Sequence, residues 1–280
     1  GECMDLYEET IKVLKQYKIT ANKKLGQNFL IDEKIIEEII KAANISKKDL
    51  IIEIGPGIGS LTKSIIPNAG KTICIELDKK MANIISNRFK NEVEIINEDI
   101  LKVDLKKIAE QNKDKNIKVV ANLPYYITTP IIMKLLEEEL DLESITVMIQ
   151  KEVAERIVAT PGSKLSGAIT YSVHYYAEPE KIALVPNTSF IPSPEVDSEV
   201  IKLNIRKSPP VKIDNEKLFF NVIKASFMQR RKTLINALAN GNIFESKQQI
   251  ERMLEELKID KQIRGEKLTL EQFADIANWG

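Results

Sequence analysis

Leu50-Ile51-Ile52-Glu53-Ile54-Gly55-Pro56-Gly57-Ile58-Gly59-Ser60-Leu61 sets a short apolar run against a turn with glycine at every second position. The run has the length of one buried strand, and a helical pattern starts near Leu61, so the stretch reads as strand, tight turn and helix start. Similar apolar runs follow at Thr72 to Ile75, Val93 to Ile96, Ile117 to Ala121 and Ile145 to Ile149, separated by helical segments near Lys79, Ile131 and Glu152. Strands and helices alternating at this spacing predict an α/β fold, a doubly wound and mostly parallel sheet, with ligands at the carboxyl ends of the strands. Ile182 to Val185 and Val200 to Ile205 are expected to add an antiparallel edge.

Upstream, Asp5 to Tyr17 and Asp32 to Ala43 read as amphipathic helices, the second capped by Asp32, with a basic connector from Lys23 to Leu30 between them. Gly1, Glu2 and Cys3 precede Met4, where the native start is expected. Ser208-Pro209-Pro210 interrupts the pattern, and helical segments follow at Glu216 to Phe227, Lys232 to Ala239, Ser246 to Glu256 and Leu270 to Asn278. The expected organisation is an N-terminal helix over 1–22, an α/β domain over 23–207 and a smaller all-α domain over 208–280.

The 280 residues include 41 Lys and Arg, 41 Asp and Glu, one His and two Cys, and 43% are hydrophobic. Two cysteines make no disulfide framework, and one histidine gives no cluster of soft ligands for zinc; neither a metal nor a membrane partner is expected. The sequence shows neither an apolar run of membrane-spanning length nor a secretory leader, so a cytoplasmic protein is expected. His174 would have to serve any Ser-His-Asp or Cys-His mechanism, but it lies within an aromatic helical run from Tyr171 to Tyr176. The balanced charge conceals an imbalance: Val200 to Lys232 carries nine basic residues against Asp214 and Glu216. A basic stretch suits contact with nucleic acid.

The glycines after the first parallel strand let the backbone approach a ligand that a Cβ would exclude, and the following helix start favours negative charge. Glu76, ending the next strand, is placed to accept the ribose hydroxyls of an adenosine-type cofactor. A dinucleotide fingerprint would require glycine at position 60, where Ser60 stands. The spacing of Gly55, Gly57 and Gly59 instead resembles the first motif of the Rossmann-like S-adenosylmethionine-dependent methyltransferases. Asp99, after the third strand, is placed to accept a hydrogen bond from an adenine amino group.

Asn122-Leu123-Pro124-Tyr125 follows the strand ending at Ala121. The lone pair of an exocyclic amino group is delocalised into its ring and points away from an incoming methyl. Two acceptors correct this. The Asn122 side-chain oxygen and the Leu123 carbonyl, held by the fixed φ of Pro124, can take both N–H bonds and aim the nitrogen. Tyr125 offers a flat face for stacking the base, and Phe190, in Ser189-Phe190-Ile191-Pro192-Ser193-Pro194, can cover the other face. Arg230, Arg231 and Lys232, next to Phe227-Met228-Gln229, suit phosphate contact.

Together these motifs resemble the KsgA/RsmA family of ribosomal RNA small-subunit adenine dimethyltransferases, from about Lys23 onward. Lys24-Leu25-Gly26-Gln27-Asn28-Phe29-Leu30 is similar to the family's cofactor-closing segment, which implies cofactor contacts for Gln27, Asn28 and Leu30 beside Gly55, Gly57, Glu76, Asp99 and Asn122. The resemblance implies that S-adenosylmethionine is consumed to convert two adjacent adenosines, in the 3′-terminal hairpin loop of 16S rRNA, to N6,N6-dimethyladenosine. It also implies that the protein acts on the small ribosomal subunit late in assembly, leaving S-adenosylhomocysteine. A monomer is expected. Two positions depart from the family: Ser166 where a tyrosine is usual, and Tyr126 where many members carry asparagine. The rival readings are the erythromycin-resistance type of 23S rRNA adenine methyltransferase and a non-catalytic small-subunit assembly factor.

Overall fold

The computed structural model describes residues 4–21, 27–229 and 231–280. Gly1 to Cys3, the connector positions Lys23 to Gly26, and Arg230 lie outside the described residues. The strands are β1 (Phe29–Leu30), β2 (Asp49–Ile54), β3 (Lys71–Ile75), β4 (Glu94–Ile96), β5 (Asn116–Asn122), β6 (Leu142–Gln150), β7 (Ala177–Val185), β8 (Phe190–Ile191) and β9 (Ser198–Ile205). The helices that matter for the site are α1 (Leu6–Gln16), α2 (Glu33–Ala43), α3 (Thr62–Ile65), α4 (Lys79–Phe89), α5 (Leu105–Gln111) and α6 (Thr128–Glu137).

The larger sheet has the order β4-β3-β2-β5-β6-β9-β7. β4, β3, β2, β5 and β6 run parallel, and β9 pairs antiparallel with β6. The expected doubly wound sheet with an antiparallel edge is therefore present. Chain order reverses between β2 and β5, which opens a crevice at their carboxyl ends, where ligands of such sheets bind. All six residues of β2 are buried, as expected of a strand covered on both faces. The sequence reading did not anticipate the separate pair β1 and β8, in which Phe29 faces Ile191 and Leu30 faces Phe190.

At the amino ends of the strands, away from the crevice, Lys118 donates to Asp49 Oδ2 at 2.8 Å and to the Asn44 carbonyl at 2.7 Å. The Ser46 N–H donates to the same carboxylate oxygen at 2.7 Å. Burial alone would raise the Asp49 pKa, but the Lys118 and Ser46 bonds together with the Lys118 charge outweigh it and the group sits below its ordinary value.

The chain forms two compact units, one of residues up to Ala154 with Glu180–Ile205, the other of Glu155–Pro179 with Arg206–Gly280. This division differs from a single cut at Ser208, because Glu155–Pro179 packs with the C-terminal helices. The reason is aromatic. Beyond α7 (Lys151–Val158), helix α8 (Ala168–Tyr176) sends Tyr171 and Tyr175 into a core shared with Phe219, Leu234, Leu238, Ile250 and Phe273 of the later helices. Tyr171 meets Phe273 edge to face at 4.9 Å and its hydroxyl accepts the Gly162 N–H at 3.0 Å. Among the described residues, 206–280 contain no strand. His174 lies on α8 with Nε2 3.2 Å from the Ile157 carbonyl, and burial pushes its pKa below the ordinary value. Ser166 is fully buried and donates to the Thr160 carbonyl at 3.1 Å.

No helix of the described residues is long and apolar enough to cross a membrane, and no group of three or more His, Cys, Asp or Glu among them is arranged to hold a metal ion.

Candidate active site

One pocket lies at the carboxyl ends of β2, β3 and β5. Its lining includes Gln27, Asn28, Leu30, Gly55, Gly57, Glu76, Asp99, Asn122 to Tyr125 and Phe190. The structure thus brings together every proposed cofactor residue and the whole Asn-Leu-Pro-Tyr motif.

The glycine turn needs its glycines for different reasons. Gly55, Gly57 and Gly59 have φ of +68°, +59° and +96°. A Cβ on Gly59 would stand 2.5 Å from the Phe89 ring, whereas one on Gly57 would meet nothing closer than 3.9 Å. The turn is fastened from both sides. The Gly55 N–H donates to the Ile75 carbonyl at 2.9 Å, and the Arg88 guanidinium donates both to the Ile58 carbonyl and to Glu9 on α1.

Glu76 closes the floor beside this turn and is only 8% exposed. Its Oε1 accepts the Gly57 N–H at 3.2 Å and its Oε2 the Asp78 N–H at 2.9 Å. Burial raises its pKa to about 7 against the pull of these two bonds. Glu53, one strand away, accepts from the Thr62 hydroxyl and, at 3.7 Å, from the Cys74 thiol. Burial likewise lifts it to about 7. Asp99 caps the turn Ile100–Lys102 through Oδ1, 3.0 Å from the Leu101 N–H, so it combines a capping role with a place in the pocket wall.

The acceptor motif is held at several points. Asn122 ends β5 opposite Met148 of β6, and the Leu123 N–H donates to the Met148 carbonyl at 3.2 Å. The Pro124 carbonyl accepts the Thr128 hydroxyl at 3.1 Å. The Tyr125 phenol bonds the Ser198 hydroxyl, and burial raises its pKa, so it is neutral near pH 7. Tyr126, next to it, is 53% exposed.

Phe190 touches the pocket but is only 2% exposed and belongs to a core cluster with Leu30, Ile36 and Val200. Its segment is tied to the opposite wall: the Ile31 N–H donates to the Ser189 carbonyl at 2.8 Å, and the Ser189 hydroxyl donates to Asp32 at 2.8 Å. Gln27 donates to Asp78 at 2.9 Å. Arg231 and Lys232 are exposed in the second unit, and Arg230 is outside the described residues. Sequence reasoning missed Ser198 and Arg88, whose partners lie many positions away; nothing in their local sequence marks them.

The donor set fits S-adenosylmethionine. Backbone freed of Cβ atoms, two carboxylates for hydroxyl and amino donors, and an apolar wall from Ile75, Leu77 and Ile100 surround one cavity.

Comparison with known proteins identifies the family. A family model described as ribosomal RNA adenine dimethylase matches residues 18–280. The chain is 51% identical to ribosomal RNA small subunit methyltransferase A of Lachnoclostridium phytofermentans over 276 residues, covering 97% of this chain and 95% of that protein. It is 46% identical to the protein of the same name from Bacillus pumilus, covering 96% and 94%. Among solved structures, a dimethyladenosine transferase from Plasmodium falciparum superposes with a TM-score of 0.75 at 28% identity, over 89% of this chain and 95% of that one. The 23S rRNA methyltransferase ErmE gives 0.69 at 22% identity, over 89% and 98%, a likeness of fold.

Proposed function

The chain belongs to the ribosomal RNA adenine dimethylase family, and we propose that it N6,N6-dimethylates two adjacent adenosines in the 3′-terminal hairpin loop of 16S rRNA, within the small ribosomal subunit. The observation that carries this reading is the placement of Asn122 and the Leu123 carbonyl at the end of β5, beside the glycine turn. S-adenosylmethionine supplies an activated methyl group. The chain's own residues then have a limited task. In the first transfer Asn122 and the Leu123 carbonyl accept the two N–H bonds of the target amine and turn its lone pair toward the methyl. In the second the monomethylated amine offers its one remaining N–H to this pair, and each transfer releases one proton to solvent after the new N–C bond forms. Tyr125 receives the flipped base on its ring, and Phe190 forms the back of that compartment from its place in the core. No general base is required before attack, in keeping with a pocket that contains no histidine.

The helical unit, with Arg230, Arg231 and Lys232, is read as the surface that contacts RNA phosphates, and the protein as a cytoplasmic monomer. The four residues Asn122 to Tyr125 are assigned to the transfer step; Gln27, Asn28, Leu30, Gly55, Gly57, Glu76, Asp99 and, in a second role, Asn122 are assigned to the cofactor.

The test is methyl transfer from labelled S-adenosylmethionine to unmethylated small subunits, with large subunits and naked rRNA as parallel substrates, followed by nucleoside analysis. Dimethyladenosine confined to small subunits is expected. Label on large-subunit RNA points to the resistance-type reaction; tight binding without transfer points to an assembly factor.

A further inference from the structure

Ser198 opens β9 opposite Gln150 of β6 and is completely buried. The next residue on its face of the strand, Val200, pairs with Met148 and lies in the apolar core. A hydroxyl at such a position costs desolvation free energy unless it is paired. Its partner is the phenol of Tyr125. Tyr125 sits on the turn Tyr125–Ile127, half-buried, with its ring at the pocket. The first side-chain torsion of a tyrosine has three staggered wells, so a ring carried by a turn swings between them unless its far end is fixed.

We propose that Ser198 is a positioning residue for the target base: its hydroxyl holds the far end of the Tyr125 ring and so fixes the direction the side chain takes from the turn, which places the stacking surface before the adenine arrives. The proposal rests on the reading of Tyr125 as that surface. The same strand start also braces the other side of the compartment. Asp197 Oδ1 accepts the Asn187 N–H at 2.9 Å, the Asn187 side-chain amide donates to the Pro194 carbonyl at 3.1 Å, and the Ser193 hydroxyl donates to the Phe190 carbonyl at 3.2 Å. The Asp197 carbonyl in turn accepts the Lys151 N–H at 3.0 Å, next to the end of β6. Two consecutive residues, Asp197 and Ser198, thus anchor the loop carrying Phe190 and the ring of Tyr125 to one strand start. A ring already held in place loses less freedom when the base binds.

Full-length Ser198→Ala, Tyr125→Phe and the double variant are compared with wild type on unmethylated small subunits. Each single change is expected to lower kcat/KM for the subunit about 3- to 10-fold, and the double change to lower it no further. The Kd for S-adenosylmethionine, measured by calorimetry, is expected to stay at its wild-type value in all three variants. The Tm is expected to fall in Tyr125→Phe, which leaves the buried Ser198 hydroxyl unpaired, and to recover in the double variant, whereas a general loosening of β9 against β6 would keep it low in Ser198→Ala and in the double variant. Losses that multiply in the double variant, an unchanged kcat/KM in Ser198→Ala, or a parallel loss of cofactor affinity overturns the proposal. If Ser198→Ala does not fold, Tyr125→Phe decides alone: the same loss at unchanged cofactor affinity supports the bond, and no loss overturns it. A wild-type protein that transfers nothing to small subunits overturns the underlying reading and this assignment with it.

Discussion

The Gly57 main-chain N–H lies 3.2 Å from the Glu76 carboxylate, so the cofactor turn and the cofactor's proposed ribose acceptor are parts of one hydrogen-bonded unit. Burial raises Glu76 from an ordinary 4.5 to about 7, and hydroxyl donors favour its ionised form. Cofactor affinity should therefore fall as pH drops below about 7, approaching tenfold per pH unit. Calorimetric titration between pH 5.5 and 8.5 measures this. Glu76→Gln should bind weakly with a flat profile; a wild-type profile that is itself flat refutes the linkage.

The Glu53 pKa is shifted in the same direction, but its effect on stability runs the opposite way with pH. Its pKa in the fold, about 7, stands above the ordinary 4.5. The stability it contributes is complete below pH 4.5 and is lost as pH rises through about 7. Glu53→Gln keeps an acceptor for Thr62 and should gain stability relative to wild type between pH 5 and pH 8. Urea unfolding at both pH values reads this difference, and an equal offset at each removes Glu53 as its source.

Gly59 and Gly57 should respond unequally to alanine. Gly57→Ala carries only the cost of positive φ, about 1–2 kcal/mol, since its surroundings are open. Gly59→Ala adds a collision with Phe89 and should cost clearly more, about 3 kcal/mol or beyond. Thermal unfolding ranks the two, and equal losses would show that Phe89 yields without penalty.

Asn122→Ala removes one of the two acceptors that aim the amine. Turnover should drop about 100-fold, by analogy with the loss of one preorganised polar group, while cofactor affinity moves little. Single-turnover kinetics beside equilibrium binding separate the two quantities. Equal losses in both would move Asn122 from the transfer step to cofactor binding.

Much of this architecture is legible from residue patterns. Buried parallel strands read as unbroken apolar runs, so β2, β3 and β5 fall within a residue of their expected bounds, and Asp32 caps α2 where the pattern places it. The glycine turn and Asn122 to Tyr125 are legible because their chemistry is local. What resists reading depends on partners far along the chain. β1 and β8 are two residues each and exist only through each other. Ser198 looks like any strand residue until Tyr125 is seen against it, and 155–179 join the helical unit through aromatic packing that no local signal announces.

Phe29 and Leu30 pair with Ile191 and Phe190, and Asp32 bonds Ser189. The two lips of the pocket are therefore stitched together, one named for the cofactor and one for the base. An N-terminal deletion that passes Leu30 does not trim a dispensable arm; it unpicks the seam from one side and leaves the Phe190 lip without its mate. Deletion series on this protein consequently report on both substrates at once, and a truncated form that loses activity cannot be assigned to cofactor or RNA by length alone.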